Sequence, residues 1–220
     1  MAEQVAAILE AWLPGEEGGH AVADVIFGEF NPGGKLPVTF PRSVGQLPLV
    51  YRAKPSGLKS HWYGDYVSGE PSPLFPFGHG LSYTSFAYDN LRITPESAAA
   101  GEVISISCEI SNTGAVHGEE VAQLYIRDVF ASSPRPIKVL AGYQRLSLEP
   151  GEKRRVTFQM QVNQCAFYDR DLNLILEPGT IRVMVGSSSE DIRLTGEFKI
   201  SGDRKVKVNQ RVLHCPVQLD

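Results

Sequence analysis

From Tyr88 onward, apolar and polar residues alternate with a period of two. Leu91 and Ile93 open the series. Ile104, Ile106, Cys108 and Ile110 are separated by Ser105, Ser107 and Glu109, and Ala122, Leu124 and Ile126 by Gln123 and Tyr125. Val156, Phe158, Met160 and Val162 follow, with Thr157, Gln159 and Gln161 between them. Ile181, Val183 and Val185, then Ile192, Leu194, Phe198 and Ile200, end the series. Successive side chains of a strand point to opposite faces, so the pattern predicts half-buried strands. Turn signals stand between them at Asn112-Thr113-Gly114, Glu149-Pro150-Gly151-Glu152 and Glu177-Pro178-Gly179. This spacing predicts a sandwich of about seven strands in about 100 residues, a size that folds on its own.

The first 45 residues are patterned differently. Val5, Ile8, Leu9 and Trp12 recur at helical spacing. Pro14 and Gly15 interrupt that run, and Ala21, Val22, Val25 and Ile26 then form one face of a predicted helix closed by Gly28. Lys35 to Phe40, bounded by Pro-Gly-Gly and Pro41, reads as a strand. A slice of sheet this small cannot cover both of its faces, so the region reads as unfinished. Residues 42–86 carry five prolines, many glycines and many aromatics. They predict a linker with little regular structure that packs against something. In the tail, 201–220, basic residues alternate with valines, which fits a further edge strand or a frayed end.

Composition narrows the function classes. The 220 residues are 42% hydrophobic and 21% charged, with a net charge of -4 from interspersed signs. That is ordinary globular composition, with no basic stripe to hold phosphates, so nucleic acid and anionic membrane are not expected partners. No run approaches the roughly 18 apolar residues of a membrane span, and the first residues lack the basic start and apolar run of an export signal. Cys108, Cys165 and Cys215 are an odd number without a Cys-x-x-Cys pair. Neither a disulfide framework nor a zinc site is expected, and the thiols read as buried or idle. No cofactor is implied.

Three motifs occur in order: Pro14-Gly-Glu-Glu-Gly-Gly19, Glu29-Phe-Asn-Pro-Gly-Gly-Lys-Leu-Pro-Val-Thr-Phe-Pro41 and Leu74-Phe-Pro-Phe-Gly-His-Gly-Leu-Ser-Tyr-Thr-Ser-Phe86. Together they resemble the C-terminal part of glycoside hydrolase family 3, the beta-glucosidase and beta-xylosidase family. The resemblance continues into the fibronectin type III-like module that ends many members, and so covers residues 1 to about 200. It implies an α+β chain in four parts: a remnant of an α/β sandwich domain over 1–45, a linker over 46–86, an all-β immunoglobulin-like sandwich over 87–200, and a tail over 201–220. It also implies a strand over Ala7–Trp12, against the helical spacing there. In the family the catalytic Asp lies in an N-terminal barrel and the acid/base Glu precedes the point where this chain starts. The expected partners are therefore that barrel, in cis or in trans, and a beta-linked glycoside in the complete enzyme. The parent reaction would be retaining hydrolysis of a terminal beta-linked sugar, with this chain not catalytic alone. Alternatives are a non-catalytic carbohydrate-binding or interaction module, and one chain of a split enzyme. Any export signal would lie in the missing part, which leaves localisation open.

Glu16 and Glu17 are neighbours in sequence and point in different directions, unlike the facing carboxylates of a glycosidase. They read as a solvated pair near a helix start, where negative charge is favourable. Gly28 to Lys35 lacks the Lys-Ser/Thr of a phosphate loop, and the helix precedes it, so nucleotide binding is not expected. Gly80-Leu-Ser-Tyr-Thr84 misses the nucleophile-elbow pattern by its last residue. His117, with Glu119 and Glu120, reads as a solvated hairpin end. His61, Trp62, Tyr63 and Asp65 are the sugar-binding candidates: pyranose C–H faces stack on Trp and Tyr, while Asp and His hydrogen-bond hydroxyls. The same aromatics suit docking of the linker.

Overall fold

The structure is a computed structural model that describes residues 2–54, 59–60, 64–65, 70–202, 205–209 and 211–220. After a 3-10 turn at Ala2–Gln4, helix α1 spans Gly18–Phe27. The short strands β1 (Lys59–Ser60) and β2 (Gly64–Asp65) pair antiparallel. The sandwich follows: β3 (Phe86–Thr94), β4 (Ser97–Ala98), β5 (Val103–Asn112), β6 (Gly118–Asp128), β7 (Val139–Leu148) and β8 (Lys153–Gln161). Next come β9 (Phe167–Tyr168), β10 (Leu174–Leu176), β11 (Gly179–Gly186) and β12 (Ile192–Ile200). The tail adds β13 (Val206–Lys207) and β14 (Val217–Leu219).

One sheet has the order β4-β12-β11-β6-β7 and the facing one β14-β8-β5-β3; β13-β10-β9 form a small third sheet. The period-two series supplies the core. Ile104, Ile106, Ile110, Phe158, Met160 and Val183 all have 0% exposure, with Phe198 and Ile200 closing the same cluster. Burying such side chains is worth about 1.5–3 kcal/mol each, which makes this the stable body of the chain. The turns fall where Gly, Pro and Asn fix them, and Gly151 takes φ +78 in the turn between β7 and β8. Among the described residues seven strands are eight residues long or more.

Several expectations need correcting. Ala7–Trp12 and Lys35–Phe40 are not strands: Phe40 alone makes an isolated bridge, to Phe75. A strand needs a continuous ladder of hydrogen bonds: among the described residues none borders Ala7–Trp12, and residues 74–79 bond to the Lys35–Phe40 segment only near its ends, at Leu36 and Phe40. The helical spacing of Val5 to Trp12 likewise produces only the opening 3-10 turn. Helix α1 does form, and Gly28 ends it in the left-handed region at φ 84. The tail resolves to an edge strand, with Val217 to Leu219 paired against Phe158 to Val156 of β8.

Strand β7 escaped the periodicity. Its alternation breaks at Ala141-Gly142, both buried, because the tail crosses there: a Cβ on Gly142 would stand 3.1 Å from those of Cys215. All three cysteines are free and buried. Burial pushes the Cys108 and Cys165 thiols up to about 12 and Cys215 to about 11, which keeps them unreactive.

Candidate functional site

Loop residues Tyr51, Phe77 and Gly78 lie across the outward face of β6. That face explains a departure from alternation: Gln123 and Tyr125 are as buried as the core residues between which they stand. The Gln123 amide donates to the carbonyls of Gly78 (3.1 Å) and Ser187 (2.6 Å), and its oxygen accepts from the Tyr125 hydroxyl at 2.6 Å. The approach is close enough to exclude a side chain at Gly78, where a Cβ would meet Gln123 Oε1 at 2.1 Å and φ is +81. Tyr51 stacks on Phe77 with centroids 4.3 Å apart and meets Tyr125 edge-on at 5.9 Å. These offset and edge contacts are the geometries that aromatic quadrupoles favour.

Beside them lies a buried ion pair. Lys35 Nζ is 2.9 Å from Glu120 Oε1 and donates to Gly80 O at 3.0 Å; the two side chains are 12% and 6% exposed. Glu120 therefore corrects the reading of His117, Glu119 and Glu120 as a solvated end. Glu119 pairs with Arg145, and the His117 ring is hydrogen-bonded to Ser147 Oγ at 2.7 Å. The pattern gave no cue, because the partner, Lys35, is 85 residues away in a loop. His79 stacks on Phe75 at 5.4 Å. Burial, and then the nearby Lys35 charge, hold its imidazole below the usual value, with Asp191 opposing them.

Asn31 closes the other end of the seam. Its amide donates to His117 O (2.8 Å), and its oxygen accepts from Ser82 Oγ (3.0 Å) and Tyr83 N (2.8 Å). Tyr83 reaches back to Val25 O in the last turn of α1 at 2.6 Å. The Gly80–Thr84 stretch is thus a splice between segments, with Thr84 Oγ1 donating to buried Asn112 at 2.6 Å.

Between this seam and the sandwich opens a cleft of about 270 Å³, lined by Tyr51, Ala53, Pro73, Pro76 and Ile137, with Glu70 and Glu190 at its rim. Glu190 is exposed and ion-paired with Lys138 at 3.3 Å, while Glu70 accepts from Ser72 N at 3.3 Å. Two exposed carboxylates already engaged in this way do not enclose a glycosidic bond between a proton donor and a nucleophile. Glu16 and Glu17 are exposed as expected, and Glu17 contacts His20 Nδ1 at 2.7 Å. Of the sugar-binding candidates, His61, Trp62 and Tyr63 lie outside the described residues, and Asp65 is described only as the backbone partner of Lys59. Among the described residues no cluster of His, Cys, Asp or Glu could hold a metal ion, and no helix is long and apolar enough to cross a membrane.

The architecture is that of an immunoglobulin-like sandwich overlaid by an α/β-derived segment, and comparisons with known proteins assign both parts. Residues 1–83 match the glycosyl hydrolase family 3 C-terminal domain and residues 120–189 the fibronectin type III-like domain. A beta-xylosidase of Formosa agariphila is 45% identical over 190 residues, covering 86% of this chain and 26% of that protein. A periplasmic beta-glucosidase of Salmonella typhimurium is 38% identical, covering 90% and 26%. Among solved structures, a beta-glucosidase from Erythrobacter marinus superposes with a TM-score of 0.84 at 44% identity, covering 91% of this chain and 26% of that one. The beta-glucosidase from Listeria innocua in complex with glucose gives 0.85 at 36% identity, covering 91% and 29%. The chain belongs to glycosyl hydrolase family 3, as its C-terminal part, and spans about a quarter of the length of the curated relatives it matches.

Proposed function

We propose that this chain is the scaffold part of a beta-glycosidase that releases a terminal beta-linked sugar with retention, and that the reacting acids belong to the portion of the enzyme it does not contain. The observation that carries the reading is the disproportion of the match, 86% of this chain against 26% of the beta-xylosidase. The exposed apolar side chains of residues 1–50 support it. Leu13 is 97% exposed and Phe27 81%, and α1 buries no side chain, having only Gly18 buried. An amphipathic helix in that state lacks the layer it packs on. The remaining portion of the enzyme supplies that layer, so residues 1–45 complete an α/β domain while 87–200 brace it through the seam.

The test uses the purified chain with aryl beta-glucoside and aryl beta-xyloside, alone and after joining to the region that precedes the match in the Formosa agariphila beta-xylosidase. Turnover appears only in the joined form. General acid/base and covalent catalysis each contribute factors of about 100 or more, so loss of both carboxyls leaves nothing above buffer. Hydrolysis by the chain alone overturns the reading. His61, Trp62, Tyr63 and Asp65 are proposed to add sugar contacts: retention on an insoluble beta-glucan is then lost in Trp62→Ala.

A further inference from the structure

Strand β8 has β5 on one side and the tail on the other. Arg155 N donates to Asp220 O at 2.9 Å, Asp220 N donates back to Arg155 O at 3.0 Å, and Gln159 N donates to Pro216 O at 2.8 Å. The main-chain groups of one strand residue point the same way, and successive residues alternate. Arg155, Thr157 and Gln159 therefore face the tail, and Val156, Phe158 and Met160 bond to β5. The cover is thin. Strand β14 runs for only three residues, Val217–Leu219, and of the described tail residues Cys215 alone is buried. It fills the space beside Gly142, where an added Cβ would stand 3.1 Å from Cys215 Cβ and 3.1 Å from Phe158 Cδ1.

The edge beneath is regular and self-complementary. From Lys153 to Gln161, β8 pairs with β5 without a break in register. The outer strands β3 and β7 each carry a break, between Asp89 and Arg92 and at Ala141. The stretch Val156 to Gln161 contains no Pro, no Gly and no charged residue. Bulges, prolines and charges are what stop an edge from pairing with another chain, and this stretch has none of them. Two copies of β8 related by a two-fold axis at Thr157 set Val156 against Phe158 on the inner face, a β-branched side chain against an aromatic one. On the outer face the same register sets Arg155 against Gln159. Centring the pair on Arg155 would oppose two guanidiniums, so charge selects the register at Thr157.

We propose that the outer edge of β8 is a latent dimerisation surface, covered by segment Cys215–Asp220, and that release of this segment lets β8 pair antiparallel with β8 of a second copy. The proposal goes beyond the assignment to a glycosidase and stands without it, since it concerns the sandwich alone. While the tail is in place, it satisfies the edge groups. Once it is released, the freed N–H and C=O groups and the uncovered flank of Phe158 find their partners in the second copy. The tail is tethered and competes at high effective concentration, so the edge stays covered until that attachment is weakened.

Hydrogen exchange and sedimentation equilibrium on the whole chain test this. In Cys215→Asp a carboxylate stands in the buried site, which releases the tail. At low protein concentration, protection of the Arg155, Thr157 and Gln159 amides then falls by about tenfold or more, while the Val156, Phe158 and Met160 amides keep theirs. As the concentration rises, the first set regains protection together with the appearance of a dimer, and the unmodified chain shows neither change. Adding Thr157→Pro to Cys215→Asp abolishes the dimer. The N–H it removes points away from β5, so the ring stands at an open edge and spares the β5–β8 ladder. Should Cys215→Asp not fold, Gln218→Pro takes its place, removing a main-chain donor of β14 at an exposed residue. A released tail without a dimer overturns the proposal. So does a dimer that survives Thr157→Pro, or protection of the three edge amides that is unchanged in both tail variants.

Discussion

The sandwich and the segment that overlies it are built from similar residues and end in opposite states. Between Phe86 and Ile200 six of the ten strands, β5, β6, β8, β10, β11 and β12, have a neighbour on both sides, and most of the alternating apolar residues are buried. Between Ala2 and Tyr83 the apolar residues are as plentiful, yet Ile8, Trp12, Leu13, Ile26, Phe27 and Val44 are all exposed. One region completes its own core. The other is fastened to the first by polar devices, Gln123, Asn31 and the Lys35–Glu120 pair, and leaves its apolar face open. Hydrophobic pattern thus states what a segment can bury, while the partners present decide whether it does so.

The sharpest way to separate the regions is to remove one large aromatic from each. Phe158→Ala empties a site of 0% exposure and should cost about 3–5 kcal/mol, a large share of the roughly 5–15 kcal/mol that holds a domain folded. Urea unfolding followed by fluorescence measures it. A loss under about 1 kcal/mol would mean that the core repacks and that the contrast is overstated.

The fastening comes next. Glu120→Ala leaves the Lys35 ammonium buried without its partner, which costs about 3 kcal/mol in favourable geometry. The loss should be local: protection falls at the amides of Leu36 and Gly78, which donate to His79 O and Leu36 O at 2.8 Å, while the β5–β8 ladder is unaffected. Adding Lys35→Met to Glu120→Ala should recover most of it. If the two changes are simply additive, the pair does not act as a latch.

A smaller effect concerns the whole overlying segment. Residues 1–45 should be cleaved by a non-specific protease well before 87–200, since few partners bury their backbone. Limited proteolysis with mass identification of the first cuts reads this directly. Equal resistance of the two regions would show that a second copy or a rearranged fold covers the open face.

How much was legible in the sequence follows from the same contrast. Strands β5, β6, β8, β11 and β12 were readable because their alternation is local and their neighbours lie within the chain. Strand β7 was not, since Ala141-Gly142 answers to Cys215, more than 70 residues away. Of the strands expected, Ala7–Trp12 finds no hydrogen-bonding neighbour among the described residues, and Lys35–Phe40 bonds to residues 74–79 only at Leu36 and Phe40, without a continuous ladder. Helix α1 formed as read because its backbone bonds are internal and need no neighbour. The seam was the least legible part: Gly78, Lys35 and Asn31 are ordinary loop residues until the fold sets them against Gln123, Glu120 and His117.

The smallest expected effect on this chain is also the most discriminating. Phe27 stands at the end of α1 with 81% of its surface in water, so Phe27→Ser removes almost no buried contact. Substitutions at such sites usually change stability by no more than about 0.5 kcal/mol, and urea unfolding should show no more here. If the open face is where the remaining part of a family 3 enzyme packs, the same substitution costs far more once that part is present. Burying a Phe side chain is worth about 1.5–3 kcal/mol, so association with the upstream portion should weaken by roughly tenfold or more. The ratio of the two effects is the informative quantity. A substitution silent in the isolated chain and damaging in the assembled one marks Phe27 as an interface residue, whereas silence in both would place the missing layer elsewhere and return α1 to an ordinary exposed helix.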